Sequence, residues 1–224
     1  MRDIPPWIEH LHGAEIIDHL SEDFTSPTHT TVREAAVLVL LSGDPHATQL
    51  PEDASVVLEH RNPSMRSHSG QIAFPGGHHE VGDLTIVHTA LREAYEEVGL
   101  ESTTVTPVAK LTPVHIRVSN YPIHPIVAYW NEPTPLTAAS PDEVDDVFAA
   151  PLSELLNPDN RFITHFPGYQ GATFMVRDYL VWGFTAGILD ALFSAAGWEE
   201  PWDRGRVIPL DEALAHSRNG EIMP

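Results

Sequence analysis

The sequence predicts an α/β fold, a mixed β-sheet sandwiched between helices. Three observations lead there. Short apolar, strand-like runs recur along the chain, the clearest being the continuous AAVLVLL of Ala35–Leu41. Two strongly helical segments, 86–98 and 180–196, interrupt them. Strands and helices are interspersed, with no internal repeat, which is the pattern of layered α/β architectures. With 224 residues, 42% of them hydrophobic, the chain can build one sizeable core.

Each element has its own signal. Residues 1–31 mix prolines and polar residues around a short helical stretch, Glu15–Leu20, and read as an N-terminal extension. Ala35–Leu41 is apolar at every position, as in a strand buried on both faces. Ser55–Leu58 reads as a second strand, and 61–83, rich in Gly, Ser, His and Pro, as a loop. Ile86–Val98 is helical. Val105–Val118 and Ile123–Trp130 read as strands, Leu136–Pro141 as a loop, and Val144–Leu156 as a short helix broken at Pro151. Arg161–Phe166 and Ala172–Val176 form a hairpin around Pro167-Gly168. Leu180–Ala196 is apolar almost all round, so it should be a buried helix. Pro209–Ser217 reads as a short terminal helix. The expected organisation is an extension (1–31), one domain (32–197) and a C-terminal extension (198–224) packed on that domain.

Twelve Lys+Arg against 32 Asp+Glu leave a net charge of −20. Such a chain should not bind nucleic acid non-specifically. It would also repel phosphorylated substrates unless bound cations or a local basic cluster intervene; otherwise the acidity serves solubility. There is no cysteine, which excludes disulfides and thiolate metal sites. No apolar run approaches the ~20 residues of a membrane span, and the first residues lack the features of a signal peptide. A cytoplasmic location is the expectation.

The informative stretch is Gly70–Leu100. In its helix, Val87, Ala90, Leu91, Ala94 and Val98 form one apolar stripe. Glu93, Glu96 and Glu97 share another face, centred roughly 120° away. Three carboxylates at this spacing repel by about a few tenths of a kcal/mol per pair. They also stand at the end of the helix where its dipole disfavours them. Gly99 ends the helix. The cluster is either a solvated acidic face or a site for a hard cation such as Mg²⁺ or Mn²⁺. Ahead of it, Phe74-Pro75-Gly76-Gly77 makes a rigid turn able to offer backbone amides and carbonyls to a phosphate or metal. Asp83 is a candidate helix N-cap. Arg92, four residues before Glu96, is placed to hold that carboxylate.

Gly77, five residues, Asp83, then Arg92-Glu93-Ala94-Tyr95-Glu96-Glu97-Val98-Gly99-Leu100 resembles the Nudix signature. The second half matches at every defined position. The first half departs twice: Asp83 replaces Glu, and eight residues rather than seven separate it from Arg92. The resemblance implies a Nudix-type α/β/α sandwich. It implies that Glu93, Glu96, Glu97 and the Gly77 carbonyl bind Mg²⁺ or Mn²⁺, with Arg92 supporting them.

The segment from Arg61 to Gly77, with Arg61, Arg66, Gly70, Gln71 and Phe74-Pro75-Gly76-Gly77, is similar to the motif upstream of the Nudix box in coenzyme A pyrophosphatases. Asn62 departs from that motif, as does Val57-Leu58-Glu59-His60 from its Leu-Leu-Thr start. Glu143-Val144-Asp145-Asp146-Val147-Phe148, Pro151-Leu152 and Trp182-Gly183-Phe184-Thr185-Ala186 resemble later segments of the same branch. Arg61, Arg66, Gly70, Gln71, Phe74 and Gly76 are the implied substrate-binding positions. The guanidinium forks suit phosphate; as ordinary surface residues they would form ion pairs. Glu143 is either a further ligand or base, or a helix N-terminal acid. Glu97 and Glu143 are the alternatives for the general base.

The implied reaction is metal-dependent hydrolysis of coenzyme A or acyl-coenzyme A to 4′-phosphopantetheine and adenosine 3′,5′-bisphosphate. Two alternatives stay open. One is a Nudix diphosphatase for another nucleotide such as ADP-ribose. The other is a catalytically silent module that binds a nucleotide. The expected partner is the small diphosphate, with neither nucleic acid nor membrane involved, and a homodimer is compatible with the sequence. His78, His79, His88, His115 and His124 lack metal-ligand spacing and read as structural or solvent-facing. Tyr121, Tyr129 and Trp130 read as core residues or as stacking partners for a base.

Overall fold

The apolar run after residue 34 forms β1 (Ala35–Ser42), and alternation of side chains buries it on both faces. Ala36, Leu38 and Leu40 point to one side, Val39 and Leu41 to the other. β1 pairs in parallel with β7 (Pro122–Trp130) and antiparallel with β2 (Ser55–Arg61) and β4 (Gly76–His78). β3 (Ile72–Ala73) and β8 (Val144–Pro151) join β2, while β5 (Val105–Lys110) and β6 (Val114–His115) join β7. The result is an eight-stranded mixed sheet. These elements come from a computed structural model that describes residues 4–11, 33–115 and 121–221. The helix expected over 15–20 lies outside the described residues.

Helix α2 (Ile86–Val98) lays Ala90, Ala94 and Val98 on one face of this sheet, against Leu38, Leu40, Val57 and Ala128. The opposite face is covered by α1 (Pro6–Glu9), α3 (Leu152–Leu156), α4 (Gly183–Ala195) and the inner face of a second sheet. That sheet has four strands in the order β11 (Tyr179–Val181), β10 (Tyr169–Val176), β9 (Arg161–Phe166), β12 (Val207–Pro209). α5 (Leu210–Ala215) covers its outer face through Leu210, Ala213 and Leu214. The mixed sheet between helices is therefore present, with an additional sheet in the second layer.

Several element boundaries differ from the sequence expectation. Val144–Pro151 is a strand rather than a helix, because seven of its residues find partners along β2 and only Leu152–Leu156 turns helical. Tyr179–Val181 is the edge strand β11, so the buried helix starts at Gly183 and not Leu180. A buried strand and a buried helix are equally apolar, and periodicity cannot separate them. The 61–83 loop contains β3 and β4. The long strand of 105–118 is interrupted after Lys110, with 116–120 outside the described residues. The terminal helix is confined to 210–215, after β12. Residues 198–221 thus supply a strand and a helix to the second layer.

Candidate active site

The site is built where the C-terminal end of α2 meets the 61–78 segment. Thr85, not Asp83, caps the helix: its side chain accepts the His88 amide at 3.2 Å. Gly99 ends it at φ 70°. Glu97 and Val98 are buried next to each other, Val98 in the core and Glu97 on the adjoining face turned to the Phe-Pro-Gly-Gly turn. The Gly76 amide donates to Glu97 Oε2 at 2.8 Å. A Cβ on Gly77 would lie 2.5 Å from the Glu93 carboxyl carbon, so glycine is required for this approach.

Asp83 has a different task from the one expected. Its side chain, 2% exposed, takes two bonds from Arg92, Nε to Oδ1 at 3.0 Å and Nη2 to Oδ2 at 3.1 Å. The Glu80 amide and the Thr89 hydroxyl also donate to it. These bonds, the Arg92 pair foremost, hold its carboxyl below the usual carboxylate range and raise the guanidinium in turn. The same guanidinium donates to Glu93 Oε1 (2.9 Å), Glu96 Oε2 (3.1 Å) and the His78 carbonyl (2.9 Å). The expected contact between Arg92 and Glu96 is thus one of five bonds.

Glu93 and Glu97 are turned inward, whereas Glu96 remains about half exposed. Burial pushes the Glu97 carboxyl up to about 7, Glu93 adding to the effect while the Gly76 amide opposes it. Burial likewise raises Glu93 against the pull of Arg92. Strand β2 brings two more charges. Arg61 is half-buried, with Nη1 3.8 Å from Glu59. Glu59 is fully buried, and neither of its oxygens has a hydrogen-bond partner. Its carboxyl lies well above the usual range, first through burial and then through Glu97, with Arg61 opposing and Glu143 and Glu93 adding. Glu143 is exposed, and its carbonyl accepts the Asn62 amide at 2.7 Å.

The donor set fits a hard divalent cation. It is all oxygen, two of its atoms are buried without partners, and the Gly77 backbone is open to Glu93. As they stand, no three such side chains among the described residues are gathered at ligand distance. Arg92 spans Glu93 and Glu96 instead.

A cleft of about 740 Å³ opens from this corner. Its lining includes Arg61, Gln71, Gly76 and Gly77, together with the aromatic residues Phe166, Tyr169, Trp182 and Phe184. Tyr121 and His78, in edge contact, also face it. Arg66 is exposed on the loop and does not line the cleft. Phe74, packed in the core behind the turn, also borders the cleft. Gln71 is committed to protein partners, His68 and Glu221. Gly70, at φ +72°, sits against the C-terminal segment; a Cβ there would meet the Asn219 carbonyl at 2.4 Å. Tyr129 and Trp130 are core residues, bonded to the Gly43 carbonyl and the Thr104 hydroxyl.

Sequence reasoning passed over Glu59, the aromatic wall of Phe166, Tyr169 and Trp182, and Glu221. The signal for Glu59 was present: an acid directly after the apolar run Val56–Leu58 of a strand. Glu221 had none, since it reaches Gln71 and Trp182 across a long stretch of chain.

Comparison with known proteins agrees with this arrangement. The NUDIX domain pattern matches residues 31–169. The uncharacterized Nudix hydrolase NudL of Klebsiella pneumoniae is 36% identical over 164 residues, 71% of this chain and 81% of that protein. Nudix hydrolase 15, mitochondrial, of Arabidopsis thaliana is 34% identical over 190 residues, 78% of this chain. The chain spans only 56% and 61% of the length of two longer curated relatives. The crystal structure of RenU, a Nudix hydrolase from M. smegmatis, shares the fold at a TM-score of 0.50, with 18% identity over 76% of this chain and 89% of that one. The chain belongs to the Nudix hydrolase family.

Proposed function

We propose that the protein hydrolyses the diphosphate bond of coenzyme A or its acyl derivatives, releasing 4′-phosphopantetheine and adenosine 3′,5′-bisphosphate. The observation that carries this reading is the cleft itself. Its lining combines an arginine and the glycine turn, which contacts Glu97 and Glu93 behind it, with a group of aromatic rings. A substrate with a central diphosphate and a flat base needs both features. The similarity of the 61–77 segment to the coenzyme A pyrophosphatase motif supports the choice among diphosphates.

Glu93, Glu97 and the Gly77 carbonyl would hold Mg²⁺ or Mn²⁺, with Glu96 joining once released by Arg92. The bound cation would neutralise the bridging phosphates and make water a stronger nucleophile at neutral pH. Arg61 would grip a phosphate with its guanidinium, and Arg66 would swing in from the loop to a second. Gly70, Gln71, Phe74 and Gly76 shape the loop and turn that present them. Arg92 positions Glu93 and Glu96. Of the two general-base candidates, Glu97 is engaged at the turn as a ligand, and Glu143 is exposed. No helix among the described residues is long and apolar enough to cross a membrane, and we adopt a cytoplasmic setting for this substrate.

Product identification by mass, using coenzyme A, ADP-ribose and dinucleoside diphosphates with Mg²⁺ or Mn²⁺, tests the proposal. We expect the two named products from coenzyme A. Turnover of ADP-ribose beside inert coenzyme A would move the assignment to another diphosphate. A protein inert on every diphosphate would be a binding module.

A further inference from the structure

The carboxylates of Glu59 and Asp83 are both shielded from solvent, 0% and 2% exposed, and they are treated differently. Asp83 receives two bonds from Arg92, one from a threonine hydroxyl and one from a backbone amide. Glu59 receives none, and its closest cation is Arg61 Nη1 at 3.8 Å. An isolated carboxylate is among the costliest groups to remove from water, so nearly all buried ones are compensated. Glu59 cannot swing out to solvent. Its backbone lies between two neighbours in the sheet, paired with Ala73 of β3 and Val147 of β8.

Strand geometry fixes where its side chain goes. Val57, Glu59 and Arg61 alternate onto the face of β2 that α2 covers, and Val57 packs in the same cluster as Ala94 and Val98. Glu97 lies between those two residues on α2, its Oε2 held by the Gly76 amide. Glu59 is thus aimed from below into the corner that Glu97 and Glu93 enter from the helix. Four acids act on this corner, counting Glu143, and two guanidiniums oppose them: Arg61 beside Glu59, and Arg92, which is bonded to Glu93. The two Glu59 oxygens, buried without hydrogen-bond donors and turned toward the Glu93 and Glu97 carboxylates, are hard oxygen donors of the kind a divalent cation takes.

We infer that Glu59 is a metal ligand, and that its carboxylate and that of Glu97 share one divalent cation beside the Gly76–Gly77 turn. The inference rests on the diphosphatase reading but goes beyond it. Glu59 stands at the Thr position of the motif that this segment resembles, so the resemblance supplies no such ligand. It also gives a reason for an acid in the buried stretch of β2, directly after the apolar Val56–Leu58.

The test is Mn²⁺ binding to the metal-free full chain, followed by electron paramagnetic resonance of free Mn²⁺, with no substrate present. Glu59→Gln keeps the shape and removes the charge. We expect it to bind one Mn²⁺ fewer than the wild type, or to bind with affinity weakened by at least about 10-fold. Above the ordinary carboxylate range its metal-free form should melt higher than the metal-free wild type, because a buried carboxyl that folding forces to hold its proton is gone. Glu59→Asp should recover part of the Mn²⁺ affinity. Should Glu59→Gln fail to fold, Glu59→Thr replaces it with the same expected loss. A folded Glu59→Gln or Glu59→Thr that binds Mn²⁺ with wild-type number and affinity overturns the inference. Glu97→Gln separates the two levels. If Glu97→Gln loses Mn²⁺ and turnover while the Glu59 variants bind normally, only the role of Glu59 fails. If the wild type neither binds Mn²⁺ nor hydrolyses any diphosphate, the diphosphatase reading itself fails.

Discussion

Arg92 is the residue on which the other site side chains depend. Its flat head holds Asp83 through Nε and Nη2 while also touching Glu93, Glu96 and the His78 carbonyl. Only a guanidinium has donors for so many acceptors in one plane. Removing it leaves Asp83 buried with its main partner gone, a loss that for such pairs costs about 3–5 kcal/mol. Arg92→Ala should therefore lose stability of that order in urea unfolding. Arg92→Lys should recover less than half of it, because an ammonium cannot make the paired contact with Asp83. A change below about 0.5 kcal/mol in Arg92→Ala would show the network to be incidental. The contact with Glu96 was legible from the i, i+4 spacing. The contact with Asp83 was not, since it depends on how the 78–85 loop folds back, and no periodicity encodes that.

At the scale of elements, α2 and β2 press acids together, and this sets a pH dependence. Folding raises the Glu97 carboxyl to about 7 from an ordinary value of 4.5, and raises Glu59 too. The folded protein thus holds these protons more tightly than the unfolded chain. The stability they contribute is complete below pH 4.5 and is lost as pH rises through about 7. Asp83 runs the other way: its contribution is present above its ordinary value of 3.8 and disappears as pH falls below it. The metal-free protein should accordingly melt at progressively lower temperature from pH 5 to pH 8, and Mn²⁺ should abolish most of that decline. A melting temperature that is flat across this range without metal would contradict the burial of these carboxylates.

The C-terminal segment is a second device at this scale. Asn219, fully buried, exchanges two hydrogen bonds with the Leu180 backbone, and its carbonyl meets His60 Nε2 at 2.9 Å. Glu221 then secures Gln71 and Trp182. Asn219→Ala leaves one buried amide and one buried carbonyl unpaired, so it should cost about 2–4 kcal/mol. It should also raise KM more than it lowers kcat, because it loosens the Gly70 loop rather than the carboxylates. Unchanged stability in denaturant would remove this role. In the sequence, 198–224 carried the expectation of packing on the domain but no hint of contact with the Arg61–Gly77 segment.

For the whole molecule, the helix-end carboxylates, the glycine turn and the central strand were readable because their signals are local: spacing, apolar runs and Gly-Pro punctuation. The second sheet was readable only as a hairpin. Its fourth strand, β12, pairs with β9 across more than thirty residues of intervening chain, and no local signal sets that register. What secures the distant segment is Arg161. It is wholly buried between Asp190 (2.7 Å) and Glu199 (2.9 Å), with its guanidinium stacked over Trp202. Arg161→Ala should cost about 3–5 kcal/mol and detach 198–206 first, which hydrogen exchange would register as early opening there. Uniform exchange across the second layer would argue against a staple.

A net charge of −20 repels an anionic substrate, and the proposed function answers this locally, with clustered acids that would recruit cations. That claim is tested most directly by comparing the wild type with Glu97→Gln in Mn²⁺-dependent hydrolysis of coenzyme A, products counted by mass. Loss of a supporting contact around a metal costs 10- to 100-fold at most by general experience, so loss of a ligand should exceed about 100-fold in kcat/KM with the fold intact. A folded Glu97→Gln protein that retains wild-type, Mn²⁺-dependent turnover would contradict it.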